Sequence, residues 1–388
     1  MHLEDNLLAP LVEMAHAGYA PDPAQFEIAF LCVLLEERNA IALALDGQYE
    51  RSGIVYPRGS GDTNAYTTGW IGNHDVVIVY LPGVGNIGSA AAAASIPRTF
   101  PGIKLAIVVG VCGVNPHARN NDGQEVVLGD VVVSTTVLRS SYGHQYSDAF
   151  SLGREEDTLR LAPVAIRTFL QQLETIIVIQ NLEQKTALYS EKILDRGLRP
   201  RGQYPGPEND ILFDPEYRHK HWVEDECETC AHCQHRTHQV CSRALRAPCA
   251  ELGCDMRYLV PRQRLRLASG FHPDGTPIRD RGQVECARQP SIWFGKFASG
   301  ESVMKSAYHR DQLVEQHGVM GFEMEGAGSW DYIPTIIVKG ACDYADSHKN
   351  KVWQQYSAIT AAACARAIVE QWRSDSVRET PGTYFEAF

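Results

Sequence analysis

The sequence predicts an α/β domain built on a mixed, mainly parallel central sheet, and three features carry that expectation. Short runs rich in Val and Ile recur with little polar alternation, as in Val76–Leu81, Leu105–Val111 and Val131–Ser134. Strands buried on both faces read this way. Helical stretches lie between the runs, and strands alternating with helices favour parallel pairing through crossovers. Glycine-rich or acidic turns follow several runs directly, which is where open α/β sheets build their sites.

Taken in order, Ile28–Leu35 is the first expected strand and Val76–Leu81 the next. A helix over Ile87–Ser95 follows, carrying five consecutive alanines. Two further strands are expected at Leu105–Val111 and Val131–Ser134, then a helix over Leu161–Leu173 with helical apolar periodicity. Strands at Ile292–Ala298 and Thr335–Val338 and a long Ala-rich helix over Val352–Trp372 complete the pattern. Residues 190–289 break it with Pro- and Arg-rich pieces and a group of six cysteines. So long an irregular stretch inside a compact sheet reads as one insertion with its own local order. The expected organisation is an N-terminal extension over 1–24 and one domain over 25–388, interrupted at about 190–289.

Composition narrows the function. Of 388 residues, 44% are hydrophobic and 21% charged, the balance of a globular core with a wetted surface. Thirty-six basic against 47 acidic side chains leave a net charge of −11, which excludes general electrostatic binding to nucleic acid or anionic membrane. The apolar runs are too short to span a bilayer, and the first residues lack the basic start and apolar run of a leader. A cytoplasmic protein is the expectation. Of eleven cysteines, Cys32, Cys112 and Cys364 sit singly in apolar or glycine-rich surroundings and read as buried small residues. Cys227, Cys230, Cys233, Cys241, Cys249 and Cys254 cluster with His232, His235 and His238. The composition suits a metal, but no two-plus-two ligand spacing emerges. Structural zinc, disulfides and free thiols all stay open.

The turns after the strands carry the candidate chemistry. Pro82-Gly83-Val84-Gly85-Asn86 opens the alanine helix with free amides, although a tight turn reads the same way. It is neither a dinucleotide fingerprint nor a P-loop, because the third glycine and the Gly-Lys-Ser/Thr ending are missing. Gly110-Val111-Cys112-Gly113 is a second glycine turn, and Ala298-Ser299-Gly300-Glu301 ends another strand. Gly321–Ala327 sets Glu323 and Glu325 among apolar and small residues, where carboxylates are costly unless paired or used. Asp343 follows a buried strand, as a helix cap or as a reactive acid.

In this order, five segments resemble the nucleoside phosphorylase and nucleosidase family that includes methylthioadenosine/S-adenosylhomocysteine nucleosidase, and most of all its fungal purine nucleosidase branch. They are Leu31–Ile41, Pro82–Ala94, Val108–Pro116 with Gly129–Ser134, Gly295–Lys305 and Gly321–Asn350. Phe322-Glu323-Met324-Glu325-Gly326-Ala327 and the run from Cys342-Asp343 to Lys349-Asn350 carry most of the weight. The resemblance implies a three-layer phosphorylase/hydrolase-like fold and cleavage of the N-glycosidic bond of a purine nucleoside. In its terms Asp343 is the acid that protonates purine N7, and Glu37 orients or deprotonates the attacking water. Glu325 binds the ribose hydroxyls with Met324 beneath the sugar, and Phe322 and Glu323 belong to the same substrate-binding stretch. Val303 lies against the base, Met304 contacts it through its backbone, and Val111, Cys112 and Gly113 line the turn beside base and sugar. Base loss passes through an oxocarbenium-like sugar with negative charge building on the purine, so an acid at N7 and an anion at the sugar both favour the transition state.

The family holds phosphorylases as well as hydrolases. Phosphate needs arginines and hydroxyl or amide donors. An arginine and a serine that related phosphorylases carry around this turn are missing from Val108-Val109-Gly110-Val111-Cys112. With Glu37 present, water is the expected nucleophile, as in inverting glycoside hydrolysis. Lys339 stands where arginine is usual, which keeps the charge and loses the planar fork. The expected enzyme releases free base and ribose from adenosine, with inosine, guanosine and 5′-thio-nucleosides open. It needs no cofactor and no metal, and relatives imply a homodimer. The alternatives are a phosphate-dependent phosphorylase, with Arg38, Arg51 and Arg58 as replacement arginines, and an inactive nucleoside-binding module.

Overall fold

The computed structural model describes residues 20–120, 123–147, 150–154, 158–223, 227–235, 238–272 and 274–373. Residues 1–19 of the expected N-terminal extension lie outside the described residues. The strands of the first part are β1 (Ile28–Cys32), β2 (Gly47–Gln48), β3 (Ala65–Ile71), β4 (His74–Tyr80), β5 (Leu105–Val114) and β6 (Val131–Arg139). After β7 (Gly143–Gln145), β8 (Phe150–Leu152) and β9 (Leu159–Leu161), the sheet resumes with β10 (Ile292–Ser299), β11 (Val319–Glu323) and β12 (Thr335–Asp343). The helices are α1 (Leu35–Ala44), α2 (Asn86–Thr99), α3 (Val164–Leu173), α4 (Ile176–Ile193), α5 (Glu228–Ala231) and α6 (Cys249–Leu252). Then come α7 (Gln263–Ser269), α8 (Arg281–Arg288), α9 (Ala307–His317), α10 (Gly326–Trp330) and α11 (Gln354–Val369).

Every apolar run singled out from the sequence contributes a strand. The sheet order is β11-β10-β6-β12-β5-β1-β4-β3-β2, with β9 paired to β6. β4, β1, β5 and β12 run parallel, and so do β6, β10 and β11. The two groups meet through antiparallel pairing of β12 with β6, in register at Val338 and Val133. Antiparallel pairing also joins β3 to β4 across the Gly72-Asn73 turn. β5 is long enough to reach β11 as well, pairing Gly113 with Phe322. That last contact closes β5, β12, β6, β10 and β11 into a ring, and the candidate residues sit at its rim.

Helices cover both faces of the sheet. A Cβ on Gly340 would meet the Ser357 carbonyl oxygen at 2.0 Å, so α11 lies directly against β12 there. A Cβ on Gly326 would meet Ile337 Cδ1 at 2.2 Å, so α10 lies against the same strand three residues earlier. Residues of opposite parity on one strand face opposite ways, which puts α10 and α11 on opposite faces. α1 and α4 pack with α11, and α2 packs with α10. The result is a three-layer α/β fold. Nearly all of α11 is buried, as expected of a helix that is apolar all round.

The first expected strand splits. Ile28–Cys32 pairs in the sheet, and α1 starts at Leu35 because the Glu37 carboxylate accepts from the Val33 and Leu34 amides and caps the new helix. α4 continues to Ile193, and residues 194–289 then hold only short helices and turns among the described residues.

Two arginines at the end of that stretch anchor it to the sheet. Arg262 pairs with Glu125, and Arg264 Nη1 lies 2.6 Å from Asp130 Oδ2. Asp130 is fully buried and also accepts from the amides of Val127 and Ser291 and from the Trp293 indole. Removing one partner of such a pair strands the other charge. Arg264→Ala should therefore lower unfolding free energy by about 3–5 kcal/mol, read from the urea midpoint at constant slope. A change within experimental error would show that the anchor lies elsewhere.

Candidate active site

A cavity of about 330 Å³ opens at the carboxyl ends of β1, β5 and β12, beside the turn between β11 and α10. That volume lies at the small end of the usual ligand-pocket range. Glu37, Val111, Cys112 and Gly113 line it, and so do Val303 and Met304. Phe322, Glu323, Met324, Glu325 and Asp343 complete the set read from the sequence. Residues from five separate segments thus share one cavity. The β5–β11 pairing explains part of this convergence, since it sets Gly113 against Phe322.

Glu37 is positioned by backbone. Its Oε2 accepts from the amides of Val33 at 3.0 Å and Leu34 at 2.8 Å, and its Oε1 accepts from Val111 at 2.9 Å. These bonds fix the carboxylate between the end of β1 and the middle of β5. Gly110 makes the approach possible, because a Cβ there would lie 1.9 Å from Glu37 Oε1.

Lys339 sits on the central strand β12 with almost no exposure. Its Nζ donates to Glu325 Oε2 at 3.1 Å and lies 4.0 Å from Glu37 Oε1. Burial alone would lower its pKa, but the carboxylates of Glu325, Glu37 and Glu323 more than offset that and raise it. Lys339 is therefore a fixed cation. Glu325 also accepts from the Gly85 amide at 3.3 Å, in a turn where Gly85 has a φ of 118°. The glycine turn Pro82–Asn86 accordingly gives its amides to protein carboxylates, Gly85 to Glu325 and Asn86 to Glu301. Glu323 accepts from the amides of Glu325 and Gly326 and shapes the turn. Burial raises its carboxyl, with Lys339 pulling the other way and Glu325 adding to the rise.

Asp343 ends β12. Its Oδ1 accepts from the Ala345 amide at 2.8 Å, and Lys349 Nζ lies 2.9 Å from its Oδ2. For Lys349 too, burial lowers the pKa and the Asp343 charge more than restores it. Burial pushes the Cys112 and Cys342 thiols up, so both stay neutral wall residues and not nucleophiles.

Some residues were not singled out from the sequence. Lys349, Val33, Leu34, Ser302 and Gln354 also line the cavity. The only sequence signal for Lys349 was its place in the run after Asp343. Tyr142 and Tyr146, on the loop after β6, are exposed and do not line it. Arg38 stacks near the Tyr80 ring, Arg51 bonds Gln48, and Arg58 bonds the Asn64 carbonyl. None of the three lines the cavity. The tight fit of Glu37 over Gly110 has a direct consequence. Gly110→Ala should destabilise the fold by about 1–3 kcal/mol through overpacking, measured by denaturant unfolding. An unchanged midpoint would show that Glu37 can move aside freely.

No family model matches the chain. It is 27% identical over 354 residues to a nucleotide-binding leucine-rich repeat (NLR)-like protein of Hyaloscypha variabilis, across 89% of this chain and 29% of that one. The chain therefore spans less than a third of that relative's length. Among solved structures it is similar to a futalosine hydrolase of Helicobacter pylori, at 14% identity and a TM-score of 0.46, over 90% of this chain and 99% of that one. It is also similar to the MTA/SAH nucleosidase of Streptococcus pneumoniae in complex with 8-aminoadenine, at 13% identity and a TM-score of 0.48, over 89% and 100%. The 5′-methylthioadenosine/S-adenosylhomocysteine nucleosidase of Neisseria meningitidis gives 11% and 0.47, over 89% and 99%.

Proposed function

We propose that the chain is a purine nucleosidase of the fungal branch, hydrolysing the N-glycosidic bond of ribonucleosides such as adenosine to free base and ribose. One observation carries the reading: a hydrogen-bonded acid–ammonium pair, Asp343 with Lys349, shares a cavity with Glu325, Lys339 and Glu37. In this assignment the Asp343–Lys349 pair holds a proton for delivery to purine N7, where negative charge builds as the bond breaks. Glu325 faces the ribose hydroxyls and the cationic sugar, and its bonds to Lys339 and Gly85 keep it in place before the reaction begins. Glu37, held by three amides, has acceptor capacity left to orient a water. Val303, Met304, Phe322, Met324 and Cys112 supply the apolar walls for base and sugar.

Charge supports water over phosphate as the nucleophile. Glu37, Glu323, Glu325 and Asp343 all line the cavity, and no arginine does among the described residues. Lys339 and Lys349 are each held by a carboxylate, and the third lining lysine, Lys351, is exposed to solvent. A phosphate dianion would face this acidic lining without a free planar donor, whereas water would not. A homodimer is the assembly in this reading, and among the exposed apolar side chains it could cover, Val84 and Val303 line the cavity. No helix among the described residues is long and apolar enough to cross a membrane. We take the cytoplasm as the working location.

Two outcomes test the reading. Purified protein should release adenine or hypoxanthine with free ribose in phosphate-free buffer, at a rate that added phosphate does not raise. Ribose 1-phosphate formed only with phosphate present would make it a phosphorylase. Binding of a nucleoside analogue without release of any base would leave a binding module. Asp343→Asn should keep analogue binding and lose about 10²–10⁴-fold in base release. Near-normal turnover in that variant would remove Asp343 from the proton path.

A further inference from the structure

The insertion brings its cysteines and histidines together in two groups that the candidate reaction does not use. In the first, one ligand atom each from His221, Cys227, Cys230 and Cys241 lie within 4.8 Å of one another. In the second, His219, Cys249 and Cys254 meet the same limit. We propose that this segment is a zinc module with two sites, a closed one built by His221, Cys227, Cys230 and Cys241 and a three-ligand one built by His219, Cys249 and Cys254, and that the second braces the loop carrying Asp343 and Lys349.

Geometry supports it first. Tetrahedral zinc with Zn–S near 2.3 Å and Zn–N near 2.0 Å needs sulfur–nitrogen edges of about 3.5 Å and sulfur–sulfur edges of about 3.8 Å. His221 Nδ1 lies 3.6 Å from Cys241 Sγ. His219 Nδ1 lies 3.7 Å from Cys249 Sγ and 3.8 Å from Cys254 Sγ. The His219 Nε2 bonds the Ala247 carbonyl at 2.9 Å, which leaves the Nδ1 lone pair facing the thiols. Metal-bound histidines are oriented in this way. A disulfide would join two sulfurs and leave the third cysteine and the histidine of the first group without a purpose. Three thiols with one imidazole form a soft, closed set that suits zinc.

The packing supports it independently. Among the described residues the hydrophobic cluster at the first group consists of buried Cys230, Ala244 and Leu252, with Val240, Ala247 and other cysteines partly buried beside them. A segment with so small a core gains its stability from a metal or a crosslink. The interleaving of ligands explains why no simple spacing was legible. His219 and His221 are two residues apart yet serve different sites, and Cys233, in step with Cys227 and Cys230, bonds the His238 carbonyl instead.

The second site touches the catalytic loop. Cys249 Sγ lies 3.8 Å from the His348 carbonyl oxygen, and the His348 ring centre is 4.9 Å from that of His219. His348 stacks on Phe213 at 4.3 Å, and its buried Nε2 has no hydrogen-bond partner. Lys349, the next residue, holds Asp343. A metal at His219 would thus stiffen the segment that positions the acid.

The zinc content stands or falls separately from the nucleosidase reading, and only the bracing role refers to it. The 388-residue chain purified without chelator should contain two zinc equivalents by mass spectrometry of the metal. Under denaturing, non-reducing conditions all eleven cysteines should titrate as free thiols. Cys230→Ser and Cys254→Ser should each lose one equivalent, and only Cys254→Ser should speed amide exchange over residues 343–351. Folded wild-type protein that holds no zinc and takes none up, or thiols missing as mapped disulfides, would overturn the proposal even if neither variant folds. Equal exchange in the wild type and Cys254→Ser would overturn the bracing role alone.

Discussion

The buried ammonium of Lys339 is the constraint around which the site is arranged. Bringing a lysine into a water-poor interior costs several kcal/mol unless its charge is matched. Here Glu325 bonds it directly and Glu37 lies at the edge of ion-pair range. Those carboxylates come from the turn after β11 and from the start of α1, so the ammonium links three elements far apart in sequence. The match also works in reverse. Glu325 and Glu37 would repel each other in the same cavity without a cation between their elements. The central strand thus supplies one positive charge where the Glu325 and Glu37 carboxylates share a cavity.

Backbone amides do the remaining positioning. Glu37 takes amides from two residues at the end of β1 and one on β5, while Glu323 takes them from the turn that presents Glu325. Such donors cannot rotate away, and they leave lone-pair capacity on each carboxylate for a ligand. The closed ring of strands serves the same end. Because β5 pairs with both β12 and β11, Gly113, Asp343 and Phe322 are placed by ladder hydrogen bonds and not by loop packing.

Much of this was legible, for reasons that particular elements make plain. β4, β5, β6 and β12 are buried along almost their whole length and so read as unbroken apolar runs. β3 escaped because Ala65-Tyr66-Thr67-Thr68-Gly69 is mixed in polarity; its signal was the Gly72-Asn73 hairpin turn before β4. α4 hid because its buried stripe runs through Thr186, Tyr189 and Ser190 as well as Leu182 and Ile193. α9 buries only Arg310 and shows no apolar stripe at all. The antiparallel joint of β12 with β6 depends on a register that no local pattern encodes. In the site, ordered motifs pointed to the eleven candidate residues, and all eleven line one cavity. Lys349 was not singled out because a sequence does not show which lysine of a loop turns inward.

Under the proposed function, the charge arrangement bears on why this cavity would favour a dissociating nucleoside over a tightly held one. Four carboxylates and three lysines line it, two of the lysines, Lys339 and Lys349, paired with carboxylates in the interior and the third, Lys351, exposed. A neutral nucleoside gains little from such a field, since its own charges are small. In the proposed reaction the sugar becomes positive and the base negative as the glycosidic bond lengthens, and in that assignment each end meets a group already in place: Glu325 at the sugar and the Asp343–Lys349 pair at the base. Interactions that strengthen only along the reaction coordinate lower the barrier without deepening the ground state. The groups were desolvated and oriented during folding, so no reorganisation is needed when the charges appear. The cost of that preorganisation falls on the fold, which holds acids and ammoniums in its interior through a central strand, a closed ring and an inserted segment pressed against the loop that follows Asp343.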